Sequence, residues 1–149
     1  MLRIALALIM VFTFVFIGHA ANTYQEMHDA IAKNDISKVK ALLNSKPKLN
    51  KTLDSRAAPT YLTQASRLGR TEIALLLIKS GANVDFPDGD GMTPLLHACQ
   101  IGNLKIAEAL IHAGADVNDP NKWGETPLMV AKNGNHKAII TVLIKAGAK

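Results

Sequence analysis

Five histidines, one cysteine and a run of aspartates are the side chains of this 149-residue chain best suited to chemistry. Zinc would need several converging donors. His28, His97, His112 and His136 have neither the i, i+4 spacing of a helical metal pair nor a cysteine partner. Cys99 is the sole thiol, which excludes an intramolecular disulfide framework and any cysteine-rich zinc site. The stretch Asp85-Phe86-Pro87-Asp88-Gly89-Asp90-Gly91 superficially resembles a calcium loop. Counted from Asp88, the third position is Asp90, but the fifth is Met92 and the twelfth is Cys99 where a glutamate is required. Calcium is rejected. No glycine-rich loop precedes a basic phosphate contact, and neither G-x-S-x-G nor H-E-x-x-H occurs. The residues offer no catalytic group, no metal site and no cofactor, so an enzyme is not expected.

The elements that would carry these side chains fall into two unlike parts. Met1–Arg3 is a short positive start, Ile4–Ile17 is an apolar run, and Gly18-His19-Ala20 follows. Small residues at Gly18 and Ala20 fit the signal-peptidase rule and place cleavage between Ala20 and Ala21. At about 1.5 Å per residue the run is shorter than a hydrocarbon core of roughly 30 Å. An uncleaved anchor is the alternative, and no cysteine near the junction suits a lipoprotein anchor. The expected product is exported, periplasmic or secreted, with no membrane insertion after cleavage. Beyond residue 20 the chain has 16 basic and 12 acidic side chains, too small an excess to indicate nucleic acid.

Written in rows of 33, the chain aligns without a gap from Thr60 to Lys149. Three copies agree at Thr60/Thr93/Thr126, Leu62/Leu95/Leu128, Ala65/Ala98/Ala131, Ile73/Ile106/Ile139, Leu77/Leu110/Leu143 and Gly81/Gly114/Gly147. Agreement at so many positions is not chance; it marks a repeat architecture. Each unit reads as two short helices and a turn. Thr93 is a good N-cap, and Pro94 suits the first helical position, where a missing N–H costs nothing. Gly102 closes the first helix in a left-handed conformation, and Asn135, which tolerates positive φ, stands in the matching slot of the last unit. Leu104–Ala113 forms a second helix with Ile106, Leu110 and Ile111 on one apolar face, and an extended hairpin follows, ending near Gly124. In this register His112 aligns with solvent-facing Lys79 and Lys145. Cys99 aligns with Ser66 in a small-residue slot, as a buried hydrophobe rather than a nucleophile.

These residues resemble ankyrin repeats. Thr93-Pro94-Leu95, Gly102 and Gly114-Ala115-Asp116-Val117-Asn118, with Asp88 and Gly91 ahead of them, match the pattern D-x-x-G-x-T-P-L-H-x-A-A-x-x-G…G-A-D-V-N. Gly124-Glu125-Thr126-Pro127-Leu128 carries the fourth unit. The second is degenerate, with Thr60-Tyr61-Leu62-Thr63 for T-P-L-H and Ala58 for the hairpin glycine. Upstream, Val39, Leu42 and Leu43 align to Ile73, Leu76 and Leu77 at an offset of 34, as a capping unit. The resemblance implies an all-α solenoid of about four helix-turn-helix units joined by β-hairpin loops, at about 24–53, 54–87, 88–120 and 121–149. The family histidine is replaced by Thr63, Leu96 and Met129, and His97 stands one place later. Polar networks between units should therefore be weaker and apolar stacking more important.

The resemblance also implies a protein partner bound at the hairpin tips and first helices. The variable slots there are Asp90, Met92, His97, Gln100, Trp123, Glu125, Val130 and Asn133, with Lys122 and Phe86 beside the tips and the pattern residue Asp88 at the same face. Trp123, the only tryptophan, either projects as an interface anchor or folds back over the neighbouring hairpin to bury its ring. Residues 60–121 carry four basic and seven acidic groups, so a partner with a basic patch would be steered to them. In the last helix Ile140 replaces the small Ala74 and Ala107, which leaves a sticky edge and room for weak self-association of an otherwise monomeric chain. The expected function is a non-catalytic adaptor in an exported compartment, such as a scaffold that organises or protects an envelope enzyme. The alternatives are an immunity-type inhibitor of a secreted toxin and, less in keeping with the residues, an enzyme.

Overall fold

A computed structural model describes residues 23–50 and 59–149. The leader, its Ala20–Ala21 junction and Ala58 lie outside the described residues. A first helix, α1, covers 23–32. It is followed by α2 (Ile36–Asn44), α3 (Tyr61–Arg67), α4 (Thr71–Lys79), α5 (Pro94–Ile101), α6 (Leu104–His112), α7 (Pro127–Asn133) and α8 (Lys137–Lys145). The described residues include no strand, so the expected β-hairpin connections are instead tight turns, whose few backbone hydrogen bonds close a loop without forming a ladder.

Threonine hydroxyls start the first helix of each of the last three units. Thr60, Thr93 and Thr126 accept from the amides of Thr63, Leu96 and Met129, filling one of the donor positions that a helix start leaves open. At the end of α5, Gly102 lies at φ +75°, and Asn135 takes the same role after α7 at φ +54°. The left-handed residue reverses the chain, so the second helix returns beside the first. Asn103 then caps α6 through the Ile106 amide (3.1 Å), and its Nδ2 donates to Thr71 Oγ1 of the preceding unit (2.8 Å).

The helices form two layers. α3, α5 and α7 pack side by side in the inner layer, with α2, α4, α6 and α8 in the outer one. Small residues decide how close the layers approach. Ala65, Ala98 and Cys99 are fully buried inside, and Ala74 and Ala107 outside. Leu62, Leu95, Ile73, Ile106, Leu77 and Leu110 fill the space between, one set per unit. Burying a side chain of this size contributes about 1.5–3 kcal/mol, and no unit could secure it alone.

The register expected for the first unit needs correction. The capping unit matches the second at an offset of 35, since α2 and α4 are both nine residues long and begin at Ile36 and Thr71. Asn34 at φ +57° is then the counterpart of Gly69 at φ +65°, and buried Val39 matches Ala74, not Ile73. The periodic apolar letters could not show the extra residue, because neighbouring leucines and isoleucines fit either register. Polar ties accompany the apolar stacking, first within a unit. Thr63 Oγ1 donates to the Phe86 carbonyl (3.0 Å), and His97 bonds to Asp88 (2.8 Å). Between successive loops, the side-chain oxygens of Asn50, Asp85 and Asn118 accept from the amides of Asn83, Asp116 and Lys149 (2.8, 2.9 and 3.0 Å).

Candidate functional site

Between α4 and α5 the chain folds into a tight turn over 88–92. Its frame is backbone, with the Asp88 amide donating to the Met92 carbonyl (3.1 Å) and the Gly91 amide to the Asp88 carbonyl (3.0 Å). Asp88 fixes it from its side chain. Oδ1 accepts from the amides of Asp90 and Met92, both at 3.0 Å, and Oδ2 accepts from His97 Nε2 at 2.8 Å. Such a carboxylate mimics a turn of backbone, and here it also fastens the turn to α5. The next turn, 121–125, repeats the design with an amide. Asn121 Oδ1 accepts from Trp123 and Glu125 amides (2.9 and 3.0 Å), and Nδ2 donates to Glu125 Oε2 (2.8 Å).

The two turns touch. Lys122 donates its amide to the Asp90 carbonyl (3.2 Å) and its ammonium to the Gly89 carbonyl. Gly91 permits this approach at φ +77°, since a Cβ there would stand 3.0 Å from the Lys122 nitrogen. Together the turns form one rim of a concave groove of about 770 Å³, whose floor and other rim come from the inner helices. Arg67, Gln100 and Asn133 mark equivalent positions at the ends of α3, α5 and α7. Pro59, Met92 and Glu125 form a second row of equivalents, and Asp90 and Trp123 a third.

Nine of the eleven residues expected at the binding face line this groove: Asp88, Asp90, Met92, His97, Gln100, Trp123, Glu125, Val130 and Asn133. Their exposure differs. Met92, His97 and Val130 are buried, with His97 only 5% exposed, so they build the floor and support the turn. Asp90, Gln100, Trp123 and Asn133 are open to solvent, and Trp123 is 67% exposed rather than folded over its neighbour. Phe86 and Lys122 are not among the lining residues: half-buried Phe86 precedes the first turn, and Lys122 joins the tips.

Sequence reasoning missed Asn121 and Arg67. Both were legible by register, since 33 positions earlier Asn121 meets Asp88 and 33 positions later Arg67 meets Gln100.

Titratable groups elsewhere are tuned by packing. Burial pushes the Cys99 thiol up to about 12, which leaves it inert as a nucleophile at neutral pH. His28 is lowered from its ordinary 6.5 by burial, against the opposing pull of Gln64 and Asp29. Its ring clusters with Tyr24 and Tyr61, at centroid distances of 4.4 and 4.9 Å. Among the described residues no three His, Cys, Asp or Glu side chains gather as a metal would require, and no helix is long and apolar enough to cross a membrane.

The groove is shallow and open, shaped by units repeated at a fixed interval, and comparison with known families agrees with that architecture. A family described as ankyrin repeats (3 copies) matches residues 27–121, and one described as ankyrin repeat matches 123–149. Comparison with curated proteins gives no match. With residues 27–121 and 123–149 matched, the chain belongs to the ankyrin-repeat family, and its repeats form a protein–protein interaction module.

Proposed function

We propose that this chain is a non-catalytic adaptor, exported by its apolar leader, which grips a protein partner in the groove between the 88–92 and 121–125 turns and the inner helices. The observation that carries the reading is Trp123. A large ring left 67% exposed beside a concavity forgoes burial that the fold could have used, and tryptophan is enriched among interface hot spots. The acidic bias of the rim favours a partner with a basic patch. The leader pattern of Met1–Ala20 supports export, and it leads us to a scaffold that holds or protects an envelope enzyme.

Affinity capture of the tagged full chain from its native compartment tests this. A resident envelope protein recovered with wild type and lost with Trp123→Ala would support the scaffold. A toxin recovered with its active site covered would favour an immunity-type inhibitor instead. Turnover by the purified chain that vanishes on changing one groove residue, with folding intact, would overturn the non-catalytic reading. N-terminal sequencing of the exported protein checks the leader, with Ala21 expected as the first residue.

A further inference from the structure

The two rims of the groove differ in charge, and the difference survives an inventory of what each group already does. Of the three carboxylates, Asp88 is consumed by the turn and by His97. Glu125 gives one oxygen to Asn121 and keeps the other. The exposed Asp90 carboxylate accepts no hydrogen bond and joins no ion pair among the described residues. Lys122 bonds the Gly89 carbonyl and pairs with none of the three, so its single charge offsets them only in part and the rim stays net negative. Trp123 stands in the same rim as Asp90, with its indole making no ring contact among the described residues. Arg67 lines the opposite, helix-end rim, where it would repel a second cation.

A cationic head over an indole face and close to carboxylates is attracted by both. We infer that the groove selects an extended segment bearing arginine or lysine, whose charged head lies on the Trp123 indole between Asp90 and Glu125. This rests on the groove being the binding face and adds the chemistry of what enters it. The repeat spacing favours an extended segment, because the equivalent rows run across successive units rather than down into a closed pocket. Arg67 sets the sense: the basic side chain faces the turns, and the segment's neutral or acidic side faces the helix ends.

The sole tryptophan makes this directly measurable, since Trp123 emission reports only this rim. The full chain is titrated with capped peptides that alternate glycine with arginine, with glutamine or with glutamate. The arginine peptide is expected to give a saturable change in emission that weakens as salt rises. Asp90→Asn and Glu125→Gln should each weaken it by up to about fivefold, the usual reach of an exposed pair, whereas Asp119→Asn should leave it unchanged. A saturable response to the glutamine or glutamate peptide at equal or higher affinity would overturn the basic selectivity and leave the groove as the binding face. Emission unmoved by all three peptides would also overturn it, and the groove would then stand or fall on capture with Trp123→Ala. An arginine response insensitive to Asp90→Asn and Glu125→Gln together would overturn it as well.

Discussion

Asp88 and Asn121 occupy the same register and do the same work with different atoms, and the comparison separates framework from contact. Asp88→Ala removes the acceptor for two amides and for His97, so it should lower stability by about 1–3 kcal/mol in urea unfolding. Trp123→Ala should do the reverse. Its ring is mostly in solvent, so the melting temperature should hardly move, while partner affinity falls by about 2 kcal/mol or more if it is a hot spot. Equal affinity in both proteins would remove it from the interface. His28 gives a pH signature. Burial in the folded chain disfavours its protonated form, whereas the unfolded chain takes up a proton near 6.5. Below that pH the unfolded state binds more protons, so stability is lost as pH falls toward the lower folded value. The urea midpoint should therefore drop more between about pH 7.5 and 5.5 in wild type than in His28→Gln.

At the scale of the element, left-handed residues and small side chains fix how each helical pair closes. Gly102→Ala would hold an alanine at φ +75° and bring its Cβ to 2.4 Å from the His136 ring. A loss of about 1–3 kcal/mol is expected from the backbone strain alone, and more where the ring cannot move. Thermal unfolding beside Asn135→Gly, which keeps a residue suited to positive φ, separates strain from simple loss of a side chain. These features were readable because threonine caps, N1 prolines and positive-φ residues act through local chemistry. The offset of the first unit was not, since a shift of one residue still sets its leucines against leucines and isoleucines of the second unit. Nor was the burial of Met92 and His97, which follows from packing against the neighbouring turn and the Asp88 carboxylate rather than from their types. The exposure of Trp123 was open for the same reason: two orientations satisfied the sequence, and only the turn geometry chose between them.

At the scale of the whole molecule, stability is a sum over units and the interfaces between them, and the ends have one neighbour each. Met129 and Ile144, on the last helical pair, are 52% and 56% exposed, and Ile140 is only partly covered. Native-state hydrogen exchange should be slowest in α3 and α5 and faster in α1, α2 and α8. Uniform protection along the array would contradict a linear stack. The same linear stack leaves one side of the inner layer as a continuous groove, the face proposed to receive the partner. Hydrogen exchange on the full chain, with and without the protein it captures, tests this most directly. Added protection at 88–92 and 121–126 and at the ends of α5 and α7 is predicted, with the outer helices unchanged. Protection confined to α2, α4, α6 and α8, with both turns exchanging as in the free chain, would contradict it.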